Sequence, residues 1–124
     1  MLRQGPVPLF LHGVLEYAVG VLFIVAPWLF GFDSGTAKAV SIVVGIVILV
    51  VAASTDSPTG LSRSIPIKSH VILDLVLAIA LIAAPFLFGF SDETNPTAFF
   101  IVLGVVHLLL TIATRFLPRV EPAG

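Results

Sequence analysis

Four long apolar runs constrain this chain more than any other feature of its sequence. They cover residues 8–30, 37–53, 67–88 and 97–117. A helix needs about 20 consecutive apolar residues, within a range of about 17–25, to cross the hydrocarbon core of a bilayer. Every run is long enough, and the runs lack the polar face that a helix of a soluble protein turns to water. The sequence therefore predicts an all-α integral membrane protein, a bundle of four transmembrane helices.

The composition argues against several other classes of protein. Hydrophobic residues make up 58% of the 124 residues and charged residues only 10%, whereas a soluble domain carries about 25% charged residues. The sequence contains no cysteine, which excludes disulfides, thiolate metal sites and thiol catalysis. A formal net charge of −1 argues against a nucleic-acid partner. The partner that this composition predicts is the lipid bilayer.

One heptapeptide occurs twice, with a single change. It reads APWLFGF at residues 26–32 and APFLFGF at residues 84–90, and the same alignment places His12 over His70. Such self-similarity indicates a duplicated unit. Because the pattern recurs in mid-chain, a cleaved signal peptide is a poor explanation of the first apolar run.

The predicted unit is a transmembrane helical hairpin. We expect one membrane domain over residues 1–124, with a first hairpin at 8–56 and a second at 67–117. Residues 57–66 are rich in Ser and Pro and read as a linker. Since each hairpin crosses the membrane twice, both should insert in the same orientation, as in parallel repeats.

The basic residues predict the orientation. Five of them lie in or beside the two termini and the linker, namely Arg3, Arg63, Lys68, Arg115 and Arg119. The remaining two loops carry Lys38 together with Asp33, Asp92 and Glu93. The positive-inside rule therefore places both termini in the cytoplasm. We expect a multi-pass protein of the cytoplasmic membrane.

The repeated heptapeptide predicts how the first and third helices end. Pro27 and Pro85 each remove a backbone hydrogen bond and should bend the last turn, while Gly31 and Gly89 favour a left-handed cap. The aromatic residues predict an interfacial belt. Its members would be Trp28, Phe30, Phe32, Phe86, Phe88 and Phe90. An alternative is that the first aromatic residue of each copy forms a lid over a shared outer cavity.

The first three residues of each heptapeptide resemble a known sequence motif. They are Ala26, Pro27 and Trp28 in the first copy, and Ala84, Pro85 and Phe86 in the second. With them, the sequence resembles the SPW repeat family of small membrane proteins, which carry Ser-Pro-Trp late in the first helix of each two-helix repeat. The resemblance covers about residues 8–116, but the serine is missing from both copies. It implies a bacterial or archaeal integral membrane protein, and it implies no enzymatic activity.

Five ionisable residues fall within the apolar runs, namely His12, Glu16, His70, Asp74 and His107. The i, i+4 spacing places the first two on one face of their helix, and the next two likewise. Ionisable groups inside a membrane are rare, so these are the candidate site residues. Three interpretations remain open: pairs that satisfy each other and tie helices together, a proton or cation path, or a metal site.

We expect a non-enzymatic structural or accessory membrane protein, and the alternative is a proton or cation transporter or channel that uses these five residues. The sequence lacks an HExxH motif, a Gly-rich phosphate loop and a nucleophile elbow, so no catalytic residue, metal ligand or cofactor is predicted. Ala37, Ser41 and Gly45 form a ladder of small residues that predicts close helix contact. That contact would lie within the chain or in a homo-oligomer, and a membrane protein partner is also compatible with the sequence.

Overall fold

The computed structural model describes residues 6–115 and places four helices in that range. Their bounds are Leu9–Leu29 for α1, Gly35–Ser54 for α2, Ile67–Leu87 for α3 and Thr94–Ala113 for α4. Each helix is long and apolar enough to cross a membrane, judged by length and composition. At about 1.5 Å per residue each extends roughly 30 Å, the thickness of the hydrocarbon core. The expectation of an all-α chain with four such helices is confirmed.

The fourth helix differs from its predicted bounds. It begins at Thr94 and ends at Ala113, whereas the apolar run predicts residues 97–117. It ends early because Thr114–Arg115 forms a short strand, β2, which pairs in parallel with β1 at Val7–Pro8. The last part of the predicted run lies outside the described residues.

A matching backbone contact joins the end of α2 to the start of α3. There Thr55 forms a parallel bridge with Ile65. Pro8 and Pro66 stand just before α1 and α3 in extended backbone conformations, and a proline also keeps the residue before it extended. The start of each odd helix therefore lies beside the end of an even one. We call this end of the bundle, which carries the linker, the linker end, and the opposite end the heptapeptide end.

Both copies of the heptapeptide end their helices in the same way. Gly31 has a φ of 62° and Gly89 a φ of 75°, which confirms the predicted left-handed caps. In the first copy the N–H of Phe32 donates to the carbonyl oxygen of Pro27 at 3.0 Å, and the second copy has the same bond at 2.9 Å. This bond is the one that defines a Schellman motif, so the heptapeptide is a helix terminator.

The predicted aromatic belt is wrong for two of its six members. Phe32 and Phe90 are buried, because their rings pack edge-on against Phe99 and Phe100 of α4. Trp28 is 73% exposed and Phe86 is 63% exposed, so both face the surroundings. Such exposure fits a belt and does not fit lids over an interior cavity.

Phenylalanines fill the interior toward the heptapeptide end. The ring of Phe23 on α1 meets Phe99 and Phe100 on α4 edge to face, with centroid distances of 4.7 and 5.4 Å. Phe90 packs edge-on against Phe100 at 5.2 Å. Edge-to-face geometry is favourable because the positive ring edge meets the negative ring face. Aromatic packing therefore joins α1 to α4 in this half of the bundle.

Small residues bring neighbouring helices together. α1 packs mainly against α2, and α3 mainly against α4. A Cβ atom at Gly45 would lie only 2.5 Å from the carbonyl oxygen of Gly20, and the hydroxyl of Ser41 donates to the carbonyl of Phe23 at 2.6 Å. Ala37 is fully buried as well. The ladder of small residues on α2 is thus a contact within the chain.

Candidate functional site

Four ionisable residues meet in the interior near the linker end. His12 and Glu16 come from α1, and His70 and Asp74 come from α3. The i, i+4 spacing puts the two members of each pair on one helix face. All four side chains are buried, with 1–3% of each residue exposed. We call these four residues the His/carboxylate centre.

Each carboxylate of the centre contacts both imidazoles. Oε1 of Glu16 lies 2.7 Å from Nε2 of His12 and 2.7 Å from Nε2 of His70. Oδ2 of Asp74 lies 3.0 Å from each of the same two nitrogens. Two nitrogens and two oxygens therefore alternate around a closed ring that joins α1 to α3. The spacing in the sequence predicts one pair on each helix, and the structure couples the two pairs.

Two threonines that sequence reasoning did not place in the site orient the imidazoles. Oγ1 of Thr114 lies 2.7 Å from Nδ1 of His12, and Oγ1 of Thr55 lies 2.7 Å from Nδ1 of His70. Each threonine follows the last residue of an even helix. A signal for them exists in the sequence, since Thr55 and Thr114 occupy equivalent positions in the two repeats, each ten residues after a glycine of an even helix. The role of these threonines depends on the parallel backbone pairing, because that pairing brings the end of each even helix to the start of an odd one.

The hydroxyl hydrogens of these threonines point away from the histidines. Thr55 donates to the carbonyl of Val51 at 2.6 Å, and Thr114 donates to the carbonyl of Leu110 at 2.5 Å. A carbonyl oxygen only accepts, so each hydroxyl must accept from the imidazole beside it. This network assigns a proton to Nδ1 of both histidines. In the neutral imidazole, Nε2 then directs its lone pair at the carboxylates.

The ring is repulsive without positive charge at its centre. Neutral imidazole nitrogens and carboxylate oxygens would face one another with lone pairs at 2.7–3.0 Å. One remedy is two protons between the nitrogens and the oxygens, which gives two imidazolium–carboxylate pairs or two neutral acid–imidazole pairs. The other is a single divalent cation held by all four atoms. Both leave the centre with no net charge, which burial in a low-dielectric interior requires.

His107, the fifth residue singled out in the sequence, lies beside the centre on α4. Its Nε2 is 3.4 Å from Oδ1 of Asp74, and within residues 6–115 this nitrogen has no hydrogen-bond partner. With one added residue in the loop of the second repeat, the repeat alignment matches His107 with Ile48, which lines the same cavity as Glu16. The two carboxylates therefore have different neighbours, one with a third imidazole and the other with an aliphatic side chain.

The linker covers the centre. Thr59 packs so closely on α1 that any side chain at Gly13 would overlap its hydroxyl, and the hydroxyl of Tyr17 donates to the carbonyl of Thr59 at 2.8 Å. A cavity of about 10 Å³ remains between the linker and the centre, bordered by Thr55 and Ser57. It has room for about one water molecule.

A larger cavity approaches the two carboxylates from the side. It has a volume of about 220 Å³ and lies between α2 and α3. Apart from Glu16 and Asp74 its walls are aliphatic, formed by Val47, Ile48, Val51, Leu73, Val76, Leu77 and Ala80. Such walls suit hydrocarbon better than water.

The tripeptides that carry the family resemblance lie at the other end of the bundle. Pro27 is in the last turn of α1, and it lies fifteen positions after His12, which corresponds to roughly 22 Å of helix. Pro85 occupies the same place in α3. The structure thus separates the repeated tripeptides, which terminate helices, from the centre, which holds the ionisable groups.

Comparison with known proteins gave one match. The family model described as the SPW repeat domain matches residues 10–114 of this chain. Neither the search of curated proteins nor the search of solved structures found a match.

Proposed function

Since this chain belongs to the SPW repeat domain family, we propose that it is a non-enzymatic structural or accessory component of the cytoplasmic membrane. It is built as two tandem transmembrane hairpins, at residues 8–56 and 67–117, with both termini and the linker in the cytoplasm. The His/carboxylate centre is the latch that holds the two hairpins together. Its partners are the lipid bilayer and, beyond it, a second copy or another membrane protein.

The observation that carries this proposal is the closed ring of two nitrogens and two oxygens. His12 and Glu16 belong to the first hairpin, and His70 and Asp74 belong to the second. Every short contact between the two helices in this ring joins a base to an acid, at 2.7 Å for Glu16 with His70 and 3.0 Å for His12 with Asp74. A latch of this kind fixes both the distance and the register of α1 against α3.

The energetics of a membrane interior favour such a latch. An ionisable residue in a membrane helix costs up to about 2.5–3.5 kcal/mol on insertion scales, the value at the helix centre. Near the centre, the first hairpin alone carries one histidine and one carboxylate, and the second carries His70, Asp74 and His107. Joining the hairpins brings a further imidazole to each carboxylate, and it places each imidazole of the ring beside the threonine that follows the other hairpin's even helix. The association of the hairpins therefore relieves buried groups that neither hairpin satisfies by itself.

The alternative, a proton or cation transporter, has less support. From the centre toward the heptapeptide end, the interior is packed with large apolar side chains, among them Phe23, Ile48, Leu81 and Phe100. The cavity that reaches the carboxylates has aliphatic walls. Both features favour a dry, paired centre over a path for ions.

Glu16→Gln separates these two functions. If the centre is a latch, glutamine keeps the shape but loses the charge, and stability in detergent should fall by about 1–3 kcal/mol, while proteoliposomes show no pH-driven proton flux with either protein. The matched control is Asp92→Asn, at an exposed carboxylate of the heptapeptide end. A wild-type flux that Glu16→Gln abolishes, with stability unchanged, would establish transport and overturn the latch.

The orientation has its own test, which the absence of native cysteines makes simple. A cysteine at exposed Ser62 in the linker should react with a membrane-impermeant maleimide only after the membrane is opened. A cysteine at exposed Asp92, in the loop before α4, should react in intact cells. The opposite labelling pattern would reverse the proposed topology.

A further inference from the structure

We propose that the His/carboxylate centre is a binding site for one divalent first-row transition metal ion. The ligands are Nε2 of His12, Oε1 of Glu16, Nε2 of His70 and Oδ2 of Asp74. This inference rests on the proposed function in that the same four residues form the latch. It adds that a metal ion, and not only protons, supplies the positive charge at the centre of the ring.

The spacing of the four atoms fits one ion. All four lie within 4.8 Å of one another. Zinc binds imidazole nitrogen and carboxylate oxygen at about 2.0–2.2 Å in a tetrahedron, which places neighbouring ligand atoms roughly 3.3–3.6 Å apart. The observed nitrogen–oxygen distances of 2.7 and 3.0 Å need to open by less than 1 Å.

The hydrogen bonds around the histidines are those of a metal site. A histidine that binds metal through one nitrogen donates its other N–H to a fixed acceptor, which sets the tautomer and the ring orientation. Here Nδ1 of His12 donates to Thr114 and Nδ1 of His70 donates to Thr55, both at 2.7 Å. The lone pairs of both Nε2 atoms therefore face the carboxylate oxygens of Glu16 and Asp74, at 2.7–3.0 Å.

A third imidazole supports the assignment. His107 is buried to more than nine-tenths, its Nε2 has no hydrogen-bond partner among the described residues, and it is aimed at Asp74. At 3.4 Å from Oδ1 of Asp74, it is placed to hydrogen-bond the ligating carboxylate or to approach the ion. A buried imidazole nitrogen without a partner is unfavourable in a purely structural core.

Charge and donor type define the class of ion. Two carboxylates and two neutral imidazoles around a divalent cation have no net charge, so the filled site is compatible with burial in a membrane. Imidazole donors favour zinc, iron or a neighbouring transition metal. Magnesium and calcium prefer a shell of oxygens only. The small cavity under the linker, lined by Thr55, Ser57 and Thr59, also borders His12, Glu16 and His70.

The experiment uses the whole protein in detergent, purified by a tag without histidine, stripped with a chelator and then titrated with Zn²⁺. We expect saturation at one zinc per chain, measured by elemental mass spectrometry after gel filtration. Glu16→Gln and His70→Gln should each weaken binding more than tenfold, whereas Glu93→Gln should not change it. Co²⁺ in place of Zn²⁺ should give intense visible absorption bands, because a tetrahedral Co²⁺ site absorbs more strongly than an octahedral one.

The threonines supply a finer test that does not remove a ligand. Thr55→Val should weaken Zn²⁺ binding by about 10–100-fold, the usual effect of losing such a supporting hydrogen bond. Thr55→Ser, which keeps the hydroxyl, should restore it. A structural role of Thr55 alone would lower stability without this difference in zinc affinity.

The outcomes distinguish the metal site from the latch. Wild-type protein that binds no zinc at saturation, or that binds it equally in Glu16→Gln and His70→Gln, overturns the metal site. If Glu16→Gln still lowers stability in that case, the latch stands. If zinc binds as expected but Glu16→Gln leaves the stability of the metal-free protein unchanged, the latch falls and the metal site stands.

Discussion

The two ends of the bundle hold the helices together by different chemistry. At the linker end, α1 and α3 meet through two histidines and two carboxylates, all buried. At the heptapeptide end, α1 and α4 meet through the rings of Phe23, Phe99 and Phe100, and Glu93 accepts hydrogen bonds from the backbone N–H groups of Asp33 and Ser34. At the linker end each repeat contributes a histidine, a carboxylate and a threonine, and the second repeat adds His107. The contact of Glu93 joins the loop of the second repeat to the backbone of the first.

This difference shows which contacts determine the choice of helix partner in lipid. Lipid is as apolar as a phenylalanine ring, so burying aromatic side chains between helices gives packing but little hydrophobic driving force. A buried imidazole or carboxylate has no comparable substitute for its partner in lipid. Polar contacts at one end therefore set which helices meet and in which register, and aromatic packing at the other end fills the space that remains.

The largest loss of stability is expected when both histidines of the centre are removed. His12→Leu together with His70→Leu leaves Glu16 and Asp74 buried without their main partners. Removing one side of a buried charge pair costs about 3–5 kcal/mol, and both pairs are affected here, so the stability in detergent should fall at least that much. Thermal unfolding followed by circular dichroism measures the loss. The matched control is Phe86→Leu with Phe88→Leu, at exposed positions. A double histidine variant as stable as this control would contradict the conclusion that polar contacts at the linker end determine how the helices associate.

A smaller effect is expected from the aromatic packing. Phe23→Leu removes two edge-to-face contacts, each worth about 0.5–1.5 kcal/mol, so the stability should fall by about 1–3 kcal/mol. The same unfolding experiment measures it, with Phe86→Leu as the control. If Phe23→Leu were more damaging than the loss of both histidines, packing and not the centre would dominate the association of the helices.

The smallest effect is expected at the loop. Glu93→Ala removes the side-chain oxygens that accept from the backbone before α2, and loss of a helix cap costs about 0.5–2 kcal/mol. The loss of stability should be near the lower of these two values because the loop is at the surface. Hydrogen exchange of the first turn of α2 should rise while exchange around the centre stays unchanged. Faster exchange at both ends would mean that the two ends are coupled.

The sequence by itself determines the helices and their ends. Four runs of apolar residues specify four helices of membrane-spanning length, because a segment of that length in lipid must satisfy its backbone internally. The glycines of the heptapeptide specify the left-handed caps, because few other residues adopt a positive φ without strain. The i, i+4 spacing of His12 with Glu16, and of His70 with Asp74, puts each pair on one face. All of these are local properties of the chain.

Only the tertiary structure decides which faces meet. Spacing along one helix does not reveal that Glu16 contacts His70 as closely as it contacts its own neighbour His12. The roles of Thr55 and Thr114 depend on the parallel backbone pairs that bring the ends of α2 and α4 to the starts of α3 and α1. The burial of Phe32, which resembles its exposed neighbours in sequence, depends on how the chain turns after Gly31. The physical reason is that helix faces are fixed by a local period, whereas the choice of partner depends on contacts between segments far apart in the chain.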